Sequence, residues 1–244
     1  MDIGERLNEA LKFHTVFTVK FPGFEIPVSE TVVISWVVMA ALILGALAFT
    51  RGLKTVPKGP QALLEGGVEF LNNFARNYFG RRAEAFAPYI GTIFLFLIFA
   101  NVIPSLSPVS FNLAGRTFTA PFEIKPPARD INFAAALAVM SILLVLFAGL
   151  KARGLKGWAK NLLHPVPLML PFNLLEYIIR PASMCLRLFG NILGGFIIMV
   201  LIGSAAPFIV PPVFSLYFDF LDGIIQALVF TFLTVLFLSE AVET

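Results

Sequence analysis

Cysteine occurs once in 244 residues, at Cys185, and histidine only twice. A single thiol excludes an intrachain disulfide and any cysteine-built metal cluster. Charge is scarce as well: Asp, Glu, Lys and Arg make up 14% of the chain, where a soluble domain carries about 25%. There is no Gly-rich phosphate loop, zinc-ligand spacing or nucleophile triad, so no motif points to hydrolysis or group transfer. No segment repeats itself, which argues against a transporter built from inverted halves. The first apolar run begins near Val32, too far in for a standard signal peptide, and no small-residue cleavage site follows it. It is expected to stay as a span.

What the chain has instead is apolar residues, 58% of the total. The expectation is an integral membrane protein, all-α and polytopic, forming one membrane domain over 1–244. Residues 1–30 are mixed and polar and read as a short surface helix, with His14 solvated, followed by an irregular outer arm. Residues 32–50 supply an 18-residue apolar run, Val32 to Phe49, enough to cross a core of about 30 Å. Residues 61–79 show helical periodicity, with Leu64, Val68, Leu71, Phe74 and Tyr78 on one face. That pattern fits an amphipathic helix lying in the interface, either as an anchor or as a docking surface. Span 2 covers 88–104. Residues 105–129 form an outer loop or short hairpin, because prolines at 104, 108, 121, 126 and 127 forbid a continuous helix. Span 3 covers 130–150, with Asp130 placed to cap it.

Two long apolar segments, 168–206 and 212–240, complete the count of five spans. The first is roughly 57 Å long at about 1.5 Å per residue, nearly twice the hydrocarbon thickness. It must tilt, bend at Pro171 or Pro181, or project beyond the membrane. Charge placement sets the expected orientation. Six Lys or Arg lie between 51 and 82, and four between 151 and 160 with no acid among them. Both segments should face the cytoplasm. The N-terminus is then outside and the C-terminus inside.

The strongest anomaly is Arg187, a permanent cation inside the 168–206 segment. Ionisable groups at that depth usually serve an ion or substrate path. Around it, Asn173, Glu176, Arg180 and Asn191 fall on one helical stripe; Glu176 and Arg187 are only about 20° out of registry, Arg187 and Asn191 about 40°. Glycines at 190, 194 and 195 allow a neighbour to approach that face. Glu176 and Arg180, four apart, could simply pair with each other, and Arg180 could snorkel. Arg187 has no acid within four residues, so its partner must come from elsewhere. On the last segment Ser215, Asp219, Asp222 and Gln226 share a face by steps of four, three and four. Either the two aspartates sit near the interface, or they line an aqueous path. An antiparallel hairpin of the two segments would put Gln226 and Arg187 at similar depth. One fixed cation with carboxylates offset to either side suits two half-channels that do not meet.

The run Leu186-Arg187-Leu188-Phe189-Gly190-Asn191, with Asn173-Leu174-Leu175-Glu176 before it and Gln226-Ala227-Leu228-Val229-Phe230-Thr231-Phe232-Leu233-Thr234 after it, strongly resembles subunit a of the F-type rotary ATP synthases, bacterial type. Pro127-Ala128-Arg129-Asp130-Ile131-Asn132-Phe133 and Ala100-Asn101-Val102-Ile103-Pro104 are further matches. The resemblance covers nearly the whole chain from residue 32. It implies an ion-translocating stator in the membrane sector, not an enzyme by itself. Two tilted C-terminal helices would cup a ring of c subunits. Arg187 would take the place of the essential arginine that meets the ring carboxylate, Gln226 the glutamine beside it, and Asn191 the asparagine one turn on. Glu176 would be the acid of the cytoplasmic half-channel.

The implied partners are the c-ring, the peripheral-stalk b subunits, the lipid bilayer and H+ or Na+, with no cofactor, metal or nucleic acid, in a bacterial plasma membrane. Two positions depart from the pattern. Many members carry Glu where this chain has Phe196, and His where it has Asp219. Asp219 therefore looks like a relocated half-channel acid, while Asp222 has no counterpart. A stand-alone secondary transporter is the alternative, and a purely structural scaffold would leave Arg187 unexplained.

Overall fold

The computed structural model describes residues 15–21, 24–105, 111–113, 116–118, 125–162, 168, 170–205, 214 and 216–242. Six helices dominate them: α1 (Glu30–Thr50), α2 (Pro60–Phe79), α3 (Ala83–Ser105), α4 (Ile131–Leu162), α5 (Leu170–Ala205) and α6 (Asp222–Val242). Single turns of 3-10 helix occupy Gly80–Arg82 and Pro127–Arg129, and a π-helical turn occupies Leu216–Leu221. Among the described residues, five helical segments are long and apolar enough to cross a membrane: Glu30–Thr50, Pro60–Pro104, Ile131–Trp158, Leu170–Gly203 and Asp222–Val242. The second of these takes in both α2 and α3. The protein is therefore an all-α, polytopic membrane protein.

Local sequence explains the element boundaries. Pro60 starts α2 at a position where its missing N–H is no loss, after Gly59 at φ 63°. Gly80, also at positive φ, ends α2, and its N–H bonds back to the Arg76 carbonyl. Asp130 accepts a hydrogen bond from the Asn132 N–H at 2.9 Å, so it caps α4 as expected. Pro171 sits in the first turn of α5, and Pro181 lies inside a helix that runs on to Ala205.

Three expectations need revision. The N-terminal arm is not irregular from Thr15 on: β1 (Thr15–Phe21) and β2 (Phe24–Ser29) pair antiparallel, Thr18 opposite Pro27. The β-branched and aromatic run Thr15-Val16-Phe17-Thr18-Val19 carries that preference, and Pro27 is tolerated because each strand has a free edge. The surface helix and His14 fall outside the described residues. Helix α4 runs twelve residues past Leu150, to Leu162, with a break at Gly154, whose φ of 69° suits glycine alone. The last helix becomes regular only at Asp222, because Leu216–Leu221 is π-helical. The proline-rich segment contains a second small strand pair, β3 (Phe111–Leu113) with β4 (Arg116–Phe118).

The chain forms two compact units. The first takes in the described residues of Met1–Ala48, Phe96–Phe133 and Phe189–Ala227. Here α1 is apolar all round yet buries only Thr31, Ser35 and Val38, a surface suited to lipid rather than water. The second unit comprises Phe49–Leu95, Ala134–Leu188 and Leu228–Thr244. Its core joins Ala75 and Phe79 of α2, Ile90 of α3, Val145 and Ala148 of α4, and Val235 and Leu238 of α6. Small residues let the helices close: a Cβ on Gly149 would already touch Ala241 at 3.5 Å.

Candidate functional site

Helix α5 has 36 residues, roughly 54 Å of helix at about 1.5 Å each. Arg187 lies at its middle, exposed, between the buried Leu188 and the exposed Leu186. Its guanidinium makes no ion pair or hydrogen bond with any described residue. Among the described residues it is thus a bare cation on an apolar helix whose residues Leu186, Ile178 and Ile179 are also exposed.

In the first unit, three of the sequence-derived residues come together. The Asn191 side-chain amide donates to the Asp222 carboxylate at 2.7 Å and to the Gln226 carbonyl oxygen at 3.4 Å. Asp222 is the first α-helical residue after the π-helical turn. Gln226 is almost fully buried, and its Nε2 finds no acceptor among the described residues. A buried donor left without an acceptor is costly. Asp219 belongs to the π-helical turn. A π turn closes i to i+5, so each residue turns less about the axis than in an α-helix. The stripe through Asp219, Asp222 and Gln226 is therefore not the regular α-helical face that the spacing suggested.

Glu176 lies in the second unit and is engaged there. One nitrogen of Arg180, Nη2, sits 2.9 Å from Glu176 and 2.9 Å from Glu240. The pairing of Glu176 with Arg180 is present, but it is shared. The guanidinium stacks on Phe237, 4.7 Å from the ring centre. Glu240 closes the 212–240 segment, and the available signal was an acid in the last turns of an apolar helix.

Two further contacts tie the first unit together. Asn101 donates to the Gly223 carbonyl at 3.3 Å, and a Cβ on Gly223 would lie 3.0 Å from the Asn101 Cβ. Arg129, 8% exposed, sits with its guanidinium 3.9 Å from the centre of the Phe196 ring. Phe196 thus covers a buried cation with its ring face. A cleft of about 290 Å³ lined by Phe70, Leu71, Phe74, Phe94, Leu228 and Phe232 contains no titratable group and offers no ion path. Among the described residues, no group of three or more His, Cys, Asp or Glu could hold a metal.

The model of the family described as ATP synthase A chain matches residues 32–239. The chain is 32% identical over 216 residues, 88% of its length and 75% of the relative's, to "ATP synthase subunit a, sodium ion specific" of Propionigenium modestum. It is 33% identical over 218 residues, covering 89% of this chain and 93% of the relative, to "ATP synthase subunit a" of Moorella thermoacetica. A family match across most of the chain and five segments long and apolar enough to cross a membrane lead to one conclusion: the chain belongs to the ATP synthase A chain family and is a multi-pass component of that complex's membrane sector.

Proposed function

We propose that the chain is the ion-translocating stator of an ATP synthase, and that Arg187 exchanges the ion with a carboxylate of a rotating c-ring. The observation that carries this reading is the bare Arg187 guanidinium on an exposed apolar stretch of α5. An arginine cannot shed its proton to lower the cost of its surroundings. An opposite charge beside it favours the ionised form of a partner carboxylate, so a ring acid arriving at Arg187 gives up its ion. The same fixed charge repels a cation and blocks direct leak across the protein.

Two half-channels would serve that exchange. Along α5, Glu176 precedes Arg187 by eleven residues and Asn191 follows it by four. We assign Glu176 to the cytoplasmic half-channel, and Asn191, Asp219, Asp222 and Gln226 to the outer one. The hydrogen-bonded Asn191–Asp222–Gln226 set supports the outer assignment, because it gathers a carboxylate that a cation could use and an amide N–H that could donate to water. Helices α5 and α6 would form the antiparallel pair facing the ring, α2 would lie in the interface near the peripheral-stalk b subunits, and the chain would sit as one domain in a bacterial plasma membrane with the N-terminus outside. Membership of a family named for a complex favours this reading over a stand-alone transporter.

The carried ion is H+ or Na+. One relative is sodium ion specific, so ATP-driven uptake measured with and without Na+ decides between them. The test of the central assignment is Arg187→Ala in the purified complex in proteoliposomes. ATP-driven ion pumping is expected to fall to background, whereas wild-type pumping by that variant would remove Arg187 from the path.

A further inference from the structure

We infer that Glu240 is a positioning residue for ion transfer: it divides the charge of Arg180 and so keeps Glu176 from becoming locked in an exclusive ion pair. The inference rests on the assignment of Glu176 to the ion path made above.

The geometry is that of one donor between two acceptors. Arg180 Nη2 lies 2.9 Å from a Glu176 oxygen and 2.9 Å from a Glu240 oxygen. The arginine side chain is only 14% exposed, whereas those of Glu176 and Glu240 are 55% and 59% exposed. The cation therefore forms the floor and the carboxylates remain open to exchange. Phe237 stacks on the guanidinium and restricts its swing.

Glu240 is itself held in place by the end of α6. Arg153 donates to the Glu240 carbonyl at 3.1 Å, and Arg82 donates to the Val242 carbonyl at 2.8 Å. Those are carbonyls of the last helical turn, which have no partner within the helix. Val235, Leu238 and Val242 bury the other side of the turn. The Glu240 carboxylate is thus a fixed competitor for Arg180, whereas Glu176 shares a helix with the arginine at the i,i+4 spacing that favours a close pair. Remove the competitor and the full positive charge falls to Glu176. A carboxylate held in that way accepts and releases a cation less readily, which slows the step assigned to it.

The test is a double-mutant cycle in the intact complex reconstituted in proteoliposomes, reading ATP-driven ion uptake per assembled complex. Glu240→Gln is expected to lower uptake about three- to tenfold, the range of a coupling between neighbouring charged residues. Glu240→Asp is expected to restore most of the loss. In a Glu176→Gln background, Glu240→Gln should have no further effect, because Glu240 acts only through Glu176. Three results would each overturn the inference: wild-type uptake by Glu240→Gln, a loss that multiplies onto Glu176→Gln, or wild-type uptake by Glu176→Gln alone. The Arg187→Ala variant keeps the two proposals apart. If it is inactive while the cycle is multiplicative, the positioning role fails and the stator reading stands.

Discussion

The two polar clusters of this molecule are held by different forces. Around Asn191 the ties are amide hydrogen bonds to one carboxylate and one neutral carbonyl, with the buried Gln226 left holding a spare donor. Around Arg180 the ties are full charges, two acids on one guanidinium, with an aromatic ring and two more arginines behind them. Neutral amides orient a carboxylate without adding net charge of their own. A guanidinium orients by attraction and competes with any other cation for the carboxylate. The first arrangement suits a site that must stay open to water, and the second suits one whose affinity is set by sharing.

That contrast can be broken at several points. The largest stability effect is expected at Gly223→Ala in the amide-held unit. The new methyl would lie 3.0 Å from Asn101 Cβ, beside the bond that Asn101 makes to the Gly223 carbonyl. Overpacking of this kind costs about 1–3 kcal/mol. It should be seen as earlier thermal loss of the detergent-solubilised complex, and an unshifted transition would show that α3 can give way there.

Next comes Arg82→Gln in the charge-held unit. It replaces a charge-assisted bond to the Val242 carbonyl, expected to cost about 1–2 kcal/mol. It should also mimic part of the Glu240→Gln loss of uptake, because it loosens the turn carrying Glu240. A stability loss with unchanged uptake would separate the clamp from the ion path.

A comparable effect is expected from Phe196→Leu, which removes the aromatic face over Arg129, worth about 1–2 kcal/mol for a desolvated cation. The smallest is the salt response. The exposed carboxylates of Glu176 and Glu240 put their pairing in the range of about 1 kcal/mol or less. Raising ionic strength should weaken that pairing and leave the Asn191–Asp222 amide bond nearly unchanged. Equal salt sensitivity of Arg180→Ala and Asn191→Leu, compared with the unmodified complex, would erase the distinction.

Much of the fold was legible because its signals are local. Apolar runs long enough to cross a bilayer announce themselves, as does the periodic face of Leu64, Val68, Leu71 and Phe74 on α2. Asp130 could be read as a cap because capping involves a residue and its neighbour two positions on. The β1–β2 pair was missed because a short strand pair beside a long apolar run carries a much weaker signal than the helix after it. The π turn at Leu216–Leu221 was missed for another reason: a wider turn changes the rotation per residue while leaving the composition unchanged, so regular α-helical spacing was assumed through Asp219.

By itself, the sequence determined that this is a membrane protein, that Arg187 stands within an apolar segment with no acid nearby, and which family the chain resembles. These depend on the order of residues along one chain, where transfer free energy and helical pitch operate. Only the tertiary structure decided the company each polar group keeps. It joined Asn191 to Asp222 across 31 positions and Arg180 to Glu240 across 60, set Phe196 over Arg129, and left Arg187 without a partner among the described residues. Such pairings depend on which helix faces pack together, and no spacing within a single helix encodes that.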